Sequence, residues 1–155
     1  MNARKPIHIL LVEDNPGDAR LVVEAFREAE VESCLHWVTD VDAAFLKLEQ
    51  QAHTASVRTD VVILDLHLPR KDGRRFLADL RSQSQFDSLA VAVMTTSAIE
   101  DDRQCVRSFA NTSFHTKPMQ WSHWVSWAGQ IAESCASRRD RGSVVGVGES
   151  HRLAG

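Results

Sequence analysis

The sequence has few cysteines, and these cysteines form no recognisable pattern. Cys34, Cys105 and Cys135 are odd in number, lie far apart and include no C-x-x-C pair. This spacing favours reduced thiols in a cytosolic protein over a disulfide framework or a zinc site. The seven histidines also lack the spacing of metal ligands, so we do not expect a structural metal site built from histidine and cysteine.

An excess of positive charge and a long apolar segment are also missing. The formal net charge is −3, which argues against a nucleic-acid-binding surface because such surfaces are normally basic. The apolar run at 7–12 ends at Glu13 and is too short for a secretory signal. No segment approaches the roughly 20 apolar residues of a membrane span. We therefore expect a cytoplasmic protein that binds neither nucleic acid nor a membrane.

The sequence does contain an alternation of buried strands and amphipathic helices. Its 155 residues suit one domain with a single sizeable core. Apolar runs predict five strands, at residues 7–12, 34–38, 61–64, 89–95 and 113–117. A segment with helical apolar spacing follows each strand, and the last helix is predicted over 121–135. This order predicts an α/β fold with a doubly wound, five-stranded parallel sheet, flavodoxin-like (βα)5, in strand order 2-1-3-4-5.

Polar residues stand at the ends of four predicted strands. The first strand is followed by Glu13 and Asp14, and the third, fourth and fifth strands end at Asp65, Thr95 and Lys117. Because parallel strands end at one edge of a sheet, we expect three carboxylates to converge there, which is unfavourable unless a cation is bound. An oxygen-only ligand set suits Mg²⁺ better than Zn²⁺. Lysine and threonine can hold a phosphoryl group, so the site predicts phosphoryl chemistry on an aspartate.

The same positions carry a family resemblance. The motifs are an acidic pair, D-x-x-L-P followed by glycine, a threonine after the fourth strand and K-P after the fifth. In this sequence they are Glu13-Asp14, Asp65-Leu66-His67-Leu68-Pro69 with Gly73, Met94-Thr95-Thr96-Ser97 and Lys117-Pro118. In order and spacing the chain resembles the response-regulator receiver domains of two-component signalling, over about residues 6–136.

This resemblance implies a phosphoacceptor protein rather than an enzyme, with at most slow self-dephosphorylation. Asp65 would receive a phosphoryl group from the phosphohistidine of a sensor histidine kinase. Mg²⁺ would be held by Glu13, Asp14, Asp65 and the backbone carbonyl of His67, and the phosphoryl oxygens would contact Thr95 and Lys117. Such a site combines a nucleophilic carboxylate with charge neutralisation and positioning.

Two positions near the acceptor depart from the pattern that the resemblance predicts. Phe114 occupies the aromatic switch position, which in many relatives is tyrosine, and it has no hydroxyl with which to make a tyrosine's hydrogen bond. The usual coupling between Thr95 and the aromatic switch is therefore in doubt here. His67 lies two residues after the acceptor, where its side chain could touch the phosphorylated site or could be a solvated loop residue.

The last predicted helix is rich in tryptophan. Trp121 and Trp124 fit the inward stripe and are predicted to be core residues, whereas Trp127 departs from that stripe and is predicted to be exposed. An exposed aromatic residue beside an apolar edge usually marks an interface. Together with Val144, Val145 and Val147 in the tail, Trp127 predicts a homodimer through the last helix and the C-terminal extension.

A narrower resemblance follows from the M-T-T-S motif, the long loop before the third strand and the C-terminal extension. These features are similar to phytochrome-associated response regulators, which partner a light-sensing histidine kinase and tend to form dimers. We therefore expect a receiver domain at 1–137 and an extension at 138–155, without an output domain. The extension has no helical or strand period of its own. The resemblance implies a function downstream of a bacteriophytochrome, through protein–protein contacts.

Two alternatives remain open at this point. Phosphoaspartate hydrolases of the haloacid-dehalogenase type also place an aspartate after a strand, but they have a second aspartate two residues later, where this chain has His67. The other alternative is a degenerate receiver that acts as a phosphorylation-independent interaction module or as a phosphate sink. The complete set of acidic residues, threonine and lysine argues against it.

Overall fold

The computed structural model describes residues 4–54, 57–96 and 99–147, and it describes side chains as far as residue 142. Five parallel strands form one sheet in the order β2-β1-β3-β4-β5. They are β1 (Ile7–Val12), β2 (Ser33–Val38), β3 (Val61–Leu64), β4 (Ala90–Thr95) and β5 (Thr112–Thr116). The predicted strand order is confirmed, and each predicted strand boundary agrees with the structure to within one residue.

Five α-helices connect or follow the strands. They are α1 (Pro16–Glu28), α2 (Val41–His53), α3 (Gly73–Arg81), α4 (Glu100–Arg107) and α5 (Trp121–Val147), with a short 3-10 helix at Ser84–Phe86. Side-chain caps fix three of the helix starts: Asn15 accepts from the Asp18 amide, Asp40 from Ala43 and Asp72 from Arg74. Among the described residues, none of these helices has both the length and the apolar character that crossing a bilayer requires.

The sheet lies between two helical layers, each with its own apolar core. Alternate residues of β1 point to opposite faces, so Ile9 and Leu11 pack toward α1 and α5 while Leu10 and Val12 pack toward α2 and α3. The central strand β3 is buried at all four positions, as an apolar strand covered by helices on both faces must be. The doubly wound three-layer prediction is therefore confirmed.

The last helix is longer than the sequence predicted. It does not end near residue 135 but continues to Val147, so residues 138–147 of the expected extension continue the same helix. Contacts distant in sequence hold this segment: Arg139 pairs with both carboxylate oxygens of Asp60 and donates to the backbone oxygens of Lys5 and Pro6. Tertiary contacts of this kind stabilise a helix that periodicity does not reveal. Residues 148–155 lie outside the described residues.

Two tryptophan predictions are wrong. Trp127 is only 5% exposed, whereas Trp121 is 36% exposed and donates its indole N–H to Glu28 at the surface. The reason is the packing of α5 against α1, which places Trp127 edge-to-face against Phe26 with ring centroids 5.6 Å apart. Trp124 is buried as predicted. The inward face of α5 therefore begins at Trp124 and includes Trp127.

Gly73 allows α3 to begin directly against the segment that follows β3. A Cβ at this position would lie 2.7 Å from Leu66 Cα and 2.8 Å from the backbone oxygen of Asp65. Gly73→Ala should therefore lower the free energy of unfolding by about 1–3 kcal/mol, as overpacking usually does. The measurement is urea denaturation followed by circular dichroism.

Gly129→Ala is the matched control, because no heavy atom lies within 4 Å of its added Cβ in the middle of α5. This change should raise the free energy of unfolding by about 0.5–1 kcal/mol, since alanine is the better helix former. Equal stability of the Gly73→Ala variant and the wild-type protein would contradict the close approach of α3 to this segment.

Candidate functional site

The acidic pair lies directly after β1, at the carboxyl edge of the sheet. The amide of Glu13 donates to the Val38 oxygen at 3.1 Å, which extends the pairing with β2 by one residue. The Glu13 side chain is buried and accepts from the Asn15 amide at 3.1 Å, whereas Asp14 is exposed. Burial raises the pKa of Glu13 to about 7, even though hydrogen bonds from Lys117 and Asn15 lower it.

Asp65 lies one residue beyond β3, beside the acidic pair. Its amide donates to the Val12 oxygen at 3.1 Å, and the residue is 7% exposed. One carboxylate oxygen accepts from the amide of His67 at 3.0 Å, and the other accepts from Lys117 Nζ at 3.0 Å. The backbone thus fixes the Asp65 carboxylate at the sheet edge, where the sequence predicted it.

Lys117 connects the carboxylates. It follows β5, its amide donates to the Thr95 oxygen at 2.8 Å, and its side chain is 8% exposed. Nζ lies 3.0 Å from Glu13, 2.7 Å from Asp18 and 3.0 Å from Asp65. Burial on its own lowers the pKa of this lysine, but the hydrogen bonds to Asp18 and Glu13 outweigh burial and raise it. Lys117 is therefore a buried cation shared by three carboxylates.

The carboxylate oxygens suit a divalent cation. Glu13, Asp14 and Asp65 each offer one oxygen, and these oxygens lie within 4.8 Å of one another. Lys117 supplies one positive charge against these three carboxylates and Asp18, so negative charge remains in excess. A donor set of oxygens only, with one exposed ligand open to water, is the type that Mg²⁺ prefers. These residues fit the predicted metal site.

The remaining predicted residues surround this centre. Thr95 ends β4 and is completely buried. Phe114 in β5 is half-buried, and the guanidinium carbon of Arg103 in α4 lies 5.4 Å from the centroid of its ring. The His67 side chain is turned toward α4, with Nε2 3.6 Å from a carboxylate oxygen of Asp102.

Sequence reasoning missed three side chains that support the site. Asp18 lies in the first turn of α1 and contacts Lys117, but in the sequence it has only the pattern of an acidic residue at a helix start. Asp102 is 1% exposed and pairs with Arg74 of α3, but in the sequence it is indistinguishable from the acidic start of a helix. Trp37 in β2 donates its indole N–H to the backbone oxygen of Glu13 at 2.7 Å. No local pattern marked Trp37.

The comparisons with known proteins agree with this geometry. The family model of the response regulator receiver domain matches residues 9–126. The chain is 41% identical over 98 residues to the response regulator Rcp1 of Synechocystis sp., covering 63% of this chain and 67% of that protein. It is 30% identical over 140 residues to the probable methanogenesis regulatory protein FilR2 of Methanothrix harundinacea, covering 82% of this chain and 89% of that protein.

Two solved structures are similar in both sequence and fold. The phosphorylated cyanobacterial phytochrome response regulator RcpA aligns with a TM-score of 0.74 at 34% identity, covering 86% of this chain and 96% of that one. The Mn²⁺-bound form of Rcp1 aligns with a TM-score of 0.68 at 33% identity, covering 81% and 91%. With the sheet order and the acidic edge described above, these similarities show that the chain belongs to the response regulator receiver domain family, as a relative of a phytochrome response regulator.

Proposed function

We propose that this receiver accepts a phosphoryl group on Asp65 from the phosphohistidine of a sensor histidine kinase, in a step that depends on Mg²⁺. The observation that carries the proposal is the position of Asp65, beside the acidic pair and 3.0 Å from the buried Lys117 ammonium. An acceptor carboxylate, a cation site and a fixed positive charge are what phosphoryl transfer to an aspartate requires. Receiver domains are in general phosphoacceptors rather than enzymes.

Glu13, Asp14 and Asp65, with the backbone carbonyl of His67, are the proposed Mg²⁺ ligands. Their convergence to within 4.8 Å supports this assignment, and a similar receiver, Rcp1, has been solved in a Mn²⁺-bound form. A cation bound there would reduce the electrostatic repulsion between the carboxylate nucleophile and the negatively charged phosphoryl group.

The protein's own groups account for the rest of the transfer. A carboxylate oxygen of Asp65 attacks phosphorus, the new P–O bond forms, and the P–N bond to the donor imidazole breaks with its electron pair going to nitrogen. Lys117 is the proposed contact for a phosphoryl oxygen, because its ammonium already lies beside the acceptor oxygen. The buried Thr95 hydroxyl is the proposed second contact. Thr95 and Phe114 are the proposed switch residues, and any movement of Phe114 on phosphorylation would occur without the hydrogen bond that a tyrosine makes.

The proposed output is altered protein–protein contact, downstream of a kinase of the bacteriophytochrome type. The similarity to the phytochrome response regulator RcpA supports this kind of partner. Within the chain, residues 1–137 are the proposed receiver domain, and the extension 138–155 begins as a continuation of α5. A homodimer through the last helix and this extension remains our proposal, but without Trp127, because that side chain is buried in its own subunit.

Asp65→Asn should abolish formation of the acyl phosphate from acetyl phosphate and Mg²⁺, because an amide cannot act as the nucleophile. Intact-mass spectrometry with and without hydroxylamine, which cleaves acyl phosphates, measures the product. Asp42→Asn is the control, since Asp42 is an exposed aspartate that pairs with Lys71 away from the acidic pair, and it should be labelled like the wild-type protein. Full labelling of Asp65→Asn would refute the assignment, and an unlabelled wild-type protein would favour a phosphorylation-independent interaction module.

Asp14→Asn should weaken Mg²⁺ binding at least roughly tenfold, about 1.4 kcal/mol, because it removes one of three anionic ligands. Isothermal titration calorimetry with MgCl₂ measures the dissociation constant. Asp79→Asn changes an exposed aspartate in α3, and its affinity should equal that of the wild-type protein. An unchanged affinity of Asp14→Asn would exclude Asp14 as a ligand.

Removal of residues 143–155 should convert the proposed dimer to a monomer in sedimentation velocity at micromolar concentration. The shortened chain loses Val144, Val145 and Val147 but keeps Arg139 and its pairing with Asp60, so the receiver should remain folded by circular dichroism. A full-length chain that sediments as a monomer, or a dimer that survives the truncation, would contradict the proposed interface.

A further inference from the structure

Trp37 occupies an unusual place for a large aromatic residue. It lies in the edge strand β2 and is 43% exposed, so burial accounts for only part of its position. Its indole N–H donates to the backbone oxygen of Glu13 at 2.7 Å, a short and directional hydrogen bond across to the loop that follows β1. The polar end of the side chain is therefore attached to the backbone of the acidic pair.

The two residues of the acidic pair differ in the hydrogen bonds that fix them. Glu13 is fixed through its amide, which donates to Val38, and through its carboxylate, which accepts from Asn15 and Lys117. The Asp14 carboxylate, by contrast, is exposed and receives no hydrogen bond from any residue that the structure describes. The direction of the Asp14 side chain thus depends on the backbone that carries it.

The hydrogen bond from Trp37 is made to the peptide group between Glu13 and Asp14. A peptide group is planar, so fixing the direction of the Glu13 carbonyl also fixes the amide nitrogen and Cα of Asp14. Because no described residue donates a hydrogen bond to the Asp14 carboxylate, the backbone that Trp37 contacts has a large part in orienting that carboxylate relative to Glu13 and Asp65.

We propose that Trp37 is a positioning residue for the divalent cation: its indole N–H fixes the Glu13–Asp14 peptide and thereby directs the Asp14 carboxylate into the metal site. The inference rests on the proposed function, because it assigns Trp37 a role in Mg²⁺ binding at that site. Trp37 is not one of the proposed ligands, and it acts through the backbone of the Glu13–Asp14 pair.

Trp37→Phe removes the donor and keeps an aromatic ring on β2. Mg²⁺ affinity should fall three- to tenfold, which is the effect of one net hydrogen bond, and isothermal titration calorimetry measures it. Trp121→Phe is the matched control, because it removes an indole hydrogen bond to Glu28 at the surface of α5, and it should bind Mg²⁺ like the wild-type protein. Urea unfolding without Mg²⁺ shows whether each variant is folded.

Labelling kinetics separate positioning from general damage. In Trp37→Phe, the Mg²⁺ concentration for half-maximal labelling by acetyl phosphate should rise by the same three- to tenfold, while the rate at saturating Mg²⁺ stays at the wild-type value. A loss in the saturated rate with unchanged Mg²⁺ dependence would overturn the inference, because it would place Trp37 in the chemical step or in folding.

A double-mutant cycle tests the route through Asp14. If Trp37 acts by directing that carboxylate, Trp37→Phe should no longer change Mg²⁺ affinity when Asp14 is already asparagine. Equal affinities of the wild-type protein and Trp37→Phe would overturn this inference alone, provided that Asp65 is still labelled. A wild-type protein that binds no Mg²⁺ and is not labelled would overturn the proposed function and this inference together.

Discussion

The contact of the buried Lys117 ammonium with three carboxylates is the interaction on which the acidic edge of the sheet depends. The lysine is 99 residues from Asp18 and 52 from Asp65 in sequence, and its side chain is 8% exposed. Carboxylates buried this close together repel one another unless positive charge compensates them. Even with the lysine present, burial raises the pKa of Glu13 to about 7. One ammonium faces three carboxylates at this edge, so negative charge is in excess, which is the electrostatic condition for recruiting a cation.

The sheet creates this arrangement through pairing rather than through local sequence. Val12 and Leu64 are partners in the parallel ladder of β1 and β3, so the residues that follow them, Glu13 and Asp65, lie side by side. The chain after β3 must then return closely enough for α3 to cover the sheet, and Gly73 permits that approach because a Cβ would overlap Leu66. The packing of the core and the geometry of the site thus both follow from the register of β1 and β3.

The two carboxylates that flank β3 have different roles because they lie at opposite edges of the sheet. Asp60 precedes the strand and pairs with Arg139 of α5. This ion pair attaches the helix to the opposite edge of the sheet. Asp65 follows the strand and faces Lys117. Both are aspartates beside the same apolar strand, but only the carboxyl edge collects the loops that can form a ligand site. The ion pair at Asp60 secures the last helix, and the one at Asp65 belongs to the site.

Much of this protein was determined by its sequence alone, because buried apolar runs, helical apolar spacing and polar residues at strand ends are patterns within single segments. Those patterns predicted the five strands, and the rules for alternating strands and helices then predicted the sheet order and the convergence of Glu13, Asp65 and Lys117. Only the tertiary structure decided which face of α5 is inward, how far that helix extends, and that Trp37 and Asp18 reach the acidic edge. Each of these depends on contacts between segments far apart in the chain, such as Trp127 with Phe26 or Trp37 with Glu13. Periodicity within one segment carries no information about such contacts.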